Sequence, residues 1–189
     1  MRKIFISLFM FVCFGVSAQE ATMRDVFKQM PDSLIPYLSS NNRLDFIDFI
    51  DSKMDAEVAN SLGGKSRMQK LTDKYVSLAL NEAASLEMML LPVSEPVDST
   101  SQIICMIRTY GKDIRESTVD FYSMKWRLLK TSDYLTPATD MFVATLNEDE
   151  STLTLTPEVK LDTPANEEQK ELVKTSITLK WNNGFVNGY

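Results

Sequence analysis

Apolar and polar positions repeat with a helical period in the first third of the chain and with a period of two after it. From Thr22 to Leu38 the pattern is short helical pieces cut by prolines. Thr22 offers a side-chain acceptor to a turn through Met23 to Gln29, and Met30-Pro31 stops that turn, because the residue before a proline avoids helical geometry. Asp32-Ser33 opens another turn, which Pro36 interrupts. The clearest helix follows. Asn42 with Asp45 three residues on has the form of a capping box, and Gly63-Gly64 supplies a left-handed stop roughly twenty residues later. On a helical wheel Phe46, Ile47, Phe49, Ile50, Met54 and Val58 share one half, and Asp45, Asp48, Asp51 and Asp55 share the other. Phe46, Ile50 and Met54 are therefore expected in the core, and the four aspartates on a solvated face.

From Leu71 onward alternation predicts strands over Lys74 to Leu80, Leu86 to Leu91, Gln102 to Tyr110 and Ser117 to Leu129. Asn81-Glu82, Pro92 to Ser101 and Gly111-Lys112-Asp113 are the turn-prone stretches between them. Connections this short make neighbours antiparallel, since a parallel return needs a long crossover. The expected fold class is α+β: N-terminal helices packed on a four-stranded antiparallel β-meander, with a smaller C-terminal β unit. That unit spans 131–189, either continuing the domain of 19–130 or standing apart from it. It consists of a hairpin from Met141 to Leu146 and Thr152 to Thr156 around a solvated acidic tip at Asn147 to Ser151, then a short helix from Glu167 to Val173. A last hairpin pairs Ile177 to Trp181 with Phe185-Val186.

The N-terminus alters the picture of where the protein works. Met1-Arg2-Lys3, an uncharged run from Ile4 to Val16, and small residues leading to Ala18 form a secretory signal, too short for a comfortable membrane span. Cleavage is expected after Ala18, giving a periplasmic or secreted protein with no transmembrane segment. A lipid anchor needs a Cys after a small residue at the end of the run, whereas Cys13 follows Phe11-Val12 in mid-run. Loss of 1–18 leaves Cys105 as the one cysteine, inside the apolar run Ile103 to Ile107, where a thiol behaves as a small hydrophobe. It also removes Arg2 and Lys3, taking the net charge from −6 to −8, so nucleic acid is not an expected partner.

Candidate chemistry is sparse. With no histidine in all 189 residues, every triad built on imidazole is excluded, and no cofactor or metal site is expected. Gly63-Gly64-Lys65-Ser66 imitates the end of a phosphate loop, but Ala59 stands where its first glycine belongs. In the strand of Ser117 to Leu129, Tyr122, Met124, Trp126 and Leu128 share one face, and Phe121, Ser123, Lys125 and Arg127 the other. The candidate ligand-binding residues are Lys125 and Arg127 on a solvated face, or Tyr122 and Trp126 if theirs is open rather than core. Glu87, Glu116 and Asp120 are the carboxylates on or beside strands.

Met23-Arg24-Asp25-Val26-Phe27-Lys28-Gln29-Met30-Pro31-Asp32-Ser33-Leu34, followed by Asn41 to Asp48, resembles the opening of a small family of exported proteins of unknown function from Bacteroides-type bacteria. The resemblance implies an envelope location in a Gram-negative bacterium and brings no activity, cofactor or catalytic residue with it. Two function classes remain. One is a non-enzymatic binding or interaction module of the cell envelope, taking an envelope protein or small ligand. The alternative is a hydrolase of an envelope or dietary polymer, which requires two carboxylates converging in one pocket.

Overall fold

The computed structural model describes residues 21–136, 141–158 and 176–187; the expected leader and the helix from Glu167 to Val173 lie outside the described residues. The first helix, α1 (Met23–Lys28), begins as its sequence predicts, with the Thr22 hydroxyl and the Asp25 carboxylate closing a reciprocal cap. The second, α2 (Ser40–Asp51), starts earlier and stops sooner than the wheel suggested. Its cap is Ser39, whose hydroxyl accepts from Asn42 N at 3.2 Å while Asn42 Oδ1 accepts from Ser39 N at 3.0 Å. It ends without glycine. Lys53 takes φ +54°, Lys53 N donates to Ile50 O at 3.0 Å and Met54 N to Phe49 O at 2.8 Å, which together make a Schellman stop. Met54, expected in the core, is consequently thrown out to 59% exposure, and Val58 moves from the helix to a strand.

The described chain is mostly antiparallel sheet with few helices. β1 (Glu57–Ala59), β2 (Lys65–Leu71), β3 (Tyr75–Asn81), β4 (Ala84–Val97), β5 (Thr100–Tyr110) and β6 (Glu116–Ser123) form a six-stranded sheet in sequential order. The four-stranded expectation missed β1 and β2 because β2 buries only Ser66 and Met68 between exposed polar positions, leaving little apolar period to read. Its hairpin is organised instead by buried Asn60. That side chain donates to Ser66 Oγ and Leu80 O, both at 3.1 Å, and its carbonyl accepts from Leu62 N and Gly64 N. Gly63, with φ +79°, turns this hairpin rather than ending a helix. β7 (Phe142–Asn147), β8 (Thr152–Pro157), β9 (Ile177–Trp181) and β10 (Phe185–Asn187) make a second antiparallel sheet.

The first sheet is covered on both faces. Leu78, Met88, Ile104 and Met106 point into a buried cluster with Met23, Phe27, Phe46 and Ile47 of the helices. Met89, Ile103, Cys105, Ile107 and Phe121 point the other way, into a cluster with Leu153, Leu179, Trp181 and Phe185 of the second sheet. Double coverage explains why Ile103 to Ile107 is continuously apolar, with no residue more than 1% exposed.

The strand expected over Ser117 to Leu129 is two pieces. β6 ends at Ser123, and the chain reverses there: Trp126 N donates to Ser123 O and Ser123 N to Arg127 O, both at 2.9 Å, so that Leu128 pairs back against Tyr122. Trp126, at φ +61°, is in the left-handed region that a turn of Met124-Lys125-Trp126 gives no compositional warning of.

Candidate functional site

The second sheet is sutured to the first through side chains that reach backbone groups at strand edges. The outward N–H groups of edge strand β7 are taken by Ser117 Oγ, accepting from Ala144 N at 2.9 Å, and by Glu87 Oε2, accepting from Leu146 N at 3.0 Å. At the far end, β4 runs past its neighbour β3, and Trp181 Nε1 donates to Pro92 O at 2.7 Å. Asn183 brackets Ser94 beside it, its Oδ1 accepting from Ser94 N at 2.9 Å and its Nδ2 donating to Ser94 Oγ at 2.8 Å. An unpaired strand edge invites another chain to pair with it, and these contacts occupy those edge groups from within.

Where the sheets diverge, two clefts open on either side of Glu87, each about 450 Å³. The first has small residues for walls, among them Ala79, Ala84 and Ala144, with Ser85, Glu87, Thr109, Lys112 and Arg115 as its polar lining. The second is lined by Lys70, Tyr75, Ser77, Thr145 and Glu148. The partition is a hydrogen bond of 3.0 Å from Tyr75 Oη to Glu87 Oε2. Burial pushes the Glu87 carboxyl up, and the Leu146 N–H, the Tyr75 hydroxyl and the charge of Arg115 pull partly against it. Burial, with the Glu87 charge and hydrogen bond, likewise raises the Tyr75 phenol.

Lys112 and Arg115 reach the first cleft because of one glycine. Gly111 has φ +108°, and a Cβ there would sit 1.9 Å from Ile114 O, so the β5–β6 turn closes only around a residue with no side chain. Lys112 Nζ then pairs with Glu82 at 2.8 Å. The acidic tip of the β7–β8 hairpin is solvated as expected at Asn147, Asp149 and Glu150, but one of its residues is docked. Glu148, with a side chain only 15% exposed, pairs with Lys70 and accepts from Thr72 Oγ1 at 2.7 Å. Burial raises its carboxyl, but those bonds and the Lys70 charge outweigh this and hold it below the usual range.

Of the residues singled out from sequence, Tyr122 and Trp126 are brought together, and the three strand carboxylates are divided between the two faces of the sheet. Tyr122 is 5% exposed and belongs to the helix-side cluster, its ring 5.8 Å from that of half-buried Trp126. Lys125 is exposed on the reversal. Arg127 is tied to Asp98 at 3.0 Å, and the expected solvated face it shared with Phe121 and Ser123 does not exist, since both of those are fully buried. Glu87 faces the second sheet, whereas Asp120 is two residues from inward Tyr122 on the helix-side face, paired with Arg108 at 2.5 Å. Glu116 is exposed on that same face. Asp51 and Asp55 of the aspartate stripe are bound by Arg24 and Arg67, and no group of three metal-ligating side chains comes together among the described residues. Arg115 and Ser85 went unnoticed in the sequence: one lies in a turn, the other at a strand start, and neither breaks a pattern.

No described helix is long and apolar enough to cross a membrane. The chain matches none of the curated proteins. Among solved structures it is similar to a domain of an uncharacterized protein from Porphyromonas gingivalis W83. The TM-score is 0.72 at 21% identity, over 89% of this chain and 98% of that one, a likeness of fold. Residues 14–152 match the family described as proteins of unknown function, DUF3256, and the chain belongs to that family, in keeping with the resemblance carried by Met23 to Asp48.

Proposed function

We propose that the protein is an exported, non-enzymatic binding module of the bacterial cell envelope, an α+β domain that takes a small ligand in the cleft beside Glu87. The observation carrying this reading is the state of the carboxylates that line the two clefts. Glu82 is held by Lys112, Glu148 by Lys70 and Thr72, and Glu87 by Tyr75 and Leu146, while Asp149, which also lines the second cleft, is exposed. Two-carboxylate hydrolysis needs an acid and a base on opposite sides of one bond. Asp120 and Glu116 lie across the sheet from Glu87, which leaves it without such a partner from that set.

Export rests on Met1 to Ala18, and the intact mass of protein recovered from the envelope fraction tests it: a chain beginning at Gln19 is expected, and a diacylglycerol adduct refutes it. Function is tested by backbone amide shift mapping with soluble low-mass envelope extract, alongside chromatography of the same mixture. Shifts at Ser85, Thr109 and Arg115 with the extract unchanged are expected. Release of new fragments, abolished in Glu87→Gln, would establish the hydrolase instead.

A further inference from the structure

Resting on the reading of this cleft as the binding site, we infer that its ligand is a small zwitterion of the amino-acid or dipeptide type, its ammonium met by Glu87 and its carboxylate by Arg115. Among the described residues four charged ones line the cleft. Two of them, Glu82 and Lys112, neutralise each other at 2.8 Å. The other two, Glu87 and Arg115, make no ion pair among the described residues, although they line the same space.

Their unused capacity is specific. Both hydrogen bonds to Glu87 fall on Oε2, so among the described residues Oε1 accepts none. A carboxylate oxygen takes about two donors, and an ammonium supplies three. Among the described residues Arg115 makes one contact at the outer limit of a hydrogen bond, Nη2 to Ser85 Oγ at 3.5 Å, which leaves a planar donor fork shaped for a carboxylate. Glu87 is half-buried on the wall and Arg115 exposed at the rim, so the two charges are met in sequence by a ligand entering ammonium first.

Charge complementarity selects against simpler ligands. An anion that satisfies Arg115 brings its charge toward Glu87; a cation that satisfies Glu87 is repelled by Arg115; a neutral polyol leaves both charges uncompensated. The volume of about 450 Å³ admits a single amino acid or dipeptide but not a folded segment.

The test is shift mapping on the full mature chain with four probes: L-alanine, L-alaninamide, N-acetyl-L-alanine and glycerol. Alanine is expected to move Ser85, Thr109 and Arg115 saturably, each singly charged analogue to bind at least tenfold more weakly, and glycerol to do nothing. Arg115→Gln should erase the preference for alanine over alaninamide, and Glu87→Gln the preference over N-acetylalanine. Circular dichroism confirms that both variants fold. If glycerol moves the cleft residues and alanine does not, the zwitterion inference is wrong while the cleft remains a binding site. If no probe moves them, or both variants lose all probes alike, the inference is overturned. Fragment release from envelope extract, by contrast, counts against the binding reading beneath it.

Discussion

Glu87 and Leu146 join the two sheets across 59 residues of chain: a carboxylate oxygen projecting from the middle of one sheet takes the outward N–H of the other sheet's edge strand at 3.0 Å. A charged residue in such a place is a structural commitment as well as a candidate ligand contact, and substitution separates the two roles.

Glu87→Ala leaves the Leu146 N–H and the Tyr75 hydroxyl without their acceptor and should cost about 1–3 kcal/mol per group stranded. Glu87→Gln keeps an acceptor oxygen and loses the charge. Because burial raises the folded-state carboxyl above its ordinary value of 4.5, wild-type stability from this group is fully present below that value and is lost as pH rises through the folded one. The facing groups that modulate this are Tyr75 on β3, the Leu146 N–H on β7 and Arg115 in the β5–β6 turn. Urea denaturation should therefore show the Gln variant gaining on wild type from pH 4.5 toward neutrality.

Gly111→Ala places a methyl 1.9 Å from Ile114 O at a φ of +108°, so backbone and turn must both shift. A loss of about 1–3 kcal/mol is expected in thermal denaturation, together with displaced amide resonances at Lys112 and Arg115.

Trp181→Phe retains an aromatic ring among Phe121, Tyr134 and Phe185 but deletes the donor to Pro92 O. A cost of about 1–3 kcal/mol in chemical denaturation is expected, and hydrogen exchange should quicken at Ser94, whose N–H is held by nearby Asn183.

Cys105 is fully buried, and burial, followed by the charges of Glu87 and Asp120, pushes its thiol up. Thiol-reactive probes should leave the native protein unlabelled, with reaction following the urea unfolding curve; fast labelling without denaturant would contradict the packing.

Much of the first sheet was legible because apolar alternation survives wherever a strand faces a core: β3, the first half of β4, β5 and β6 all lie within or across the predicted spans. What the pattern concealed has local causes. The α2 stop uses lysine where glycine is the usual signal, so the helix seemed to run on to Gly63. The Ser123 to Arg127 reversal keeps period two through a turn, because the returning segment pairs with the strand it has just left. Glu87 was visible as a charge in an apolar strand. Its partners Tyr75 and Leu146 and its cleft neighbour Arg115 were not, since no sequence spacing brings 75, 87, 115 and 146 together.

The sheet buried on both faces also imposes an order of events. Its helix-side covering precedes it in the chain, but its second covering comes from residues after it, from Leu129 to Phe185, and the sutures to the second sheet span 27 to 89 residues. A chain emerging from its N-terminus first can thus lay α1 and α2 against a forming sheet while Met89, Ile103, Cys105, Ile107 and Phe121 still await Leu153, Leu179, Trp181 and Phe185. Until the final hairpin arrives, that face is a sticky intermediate, and truncation anywhere before Trp181 should convert a folding problem into an aggregation problem.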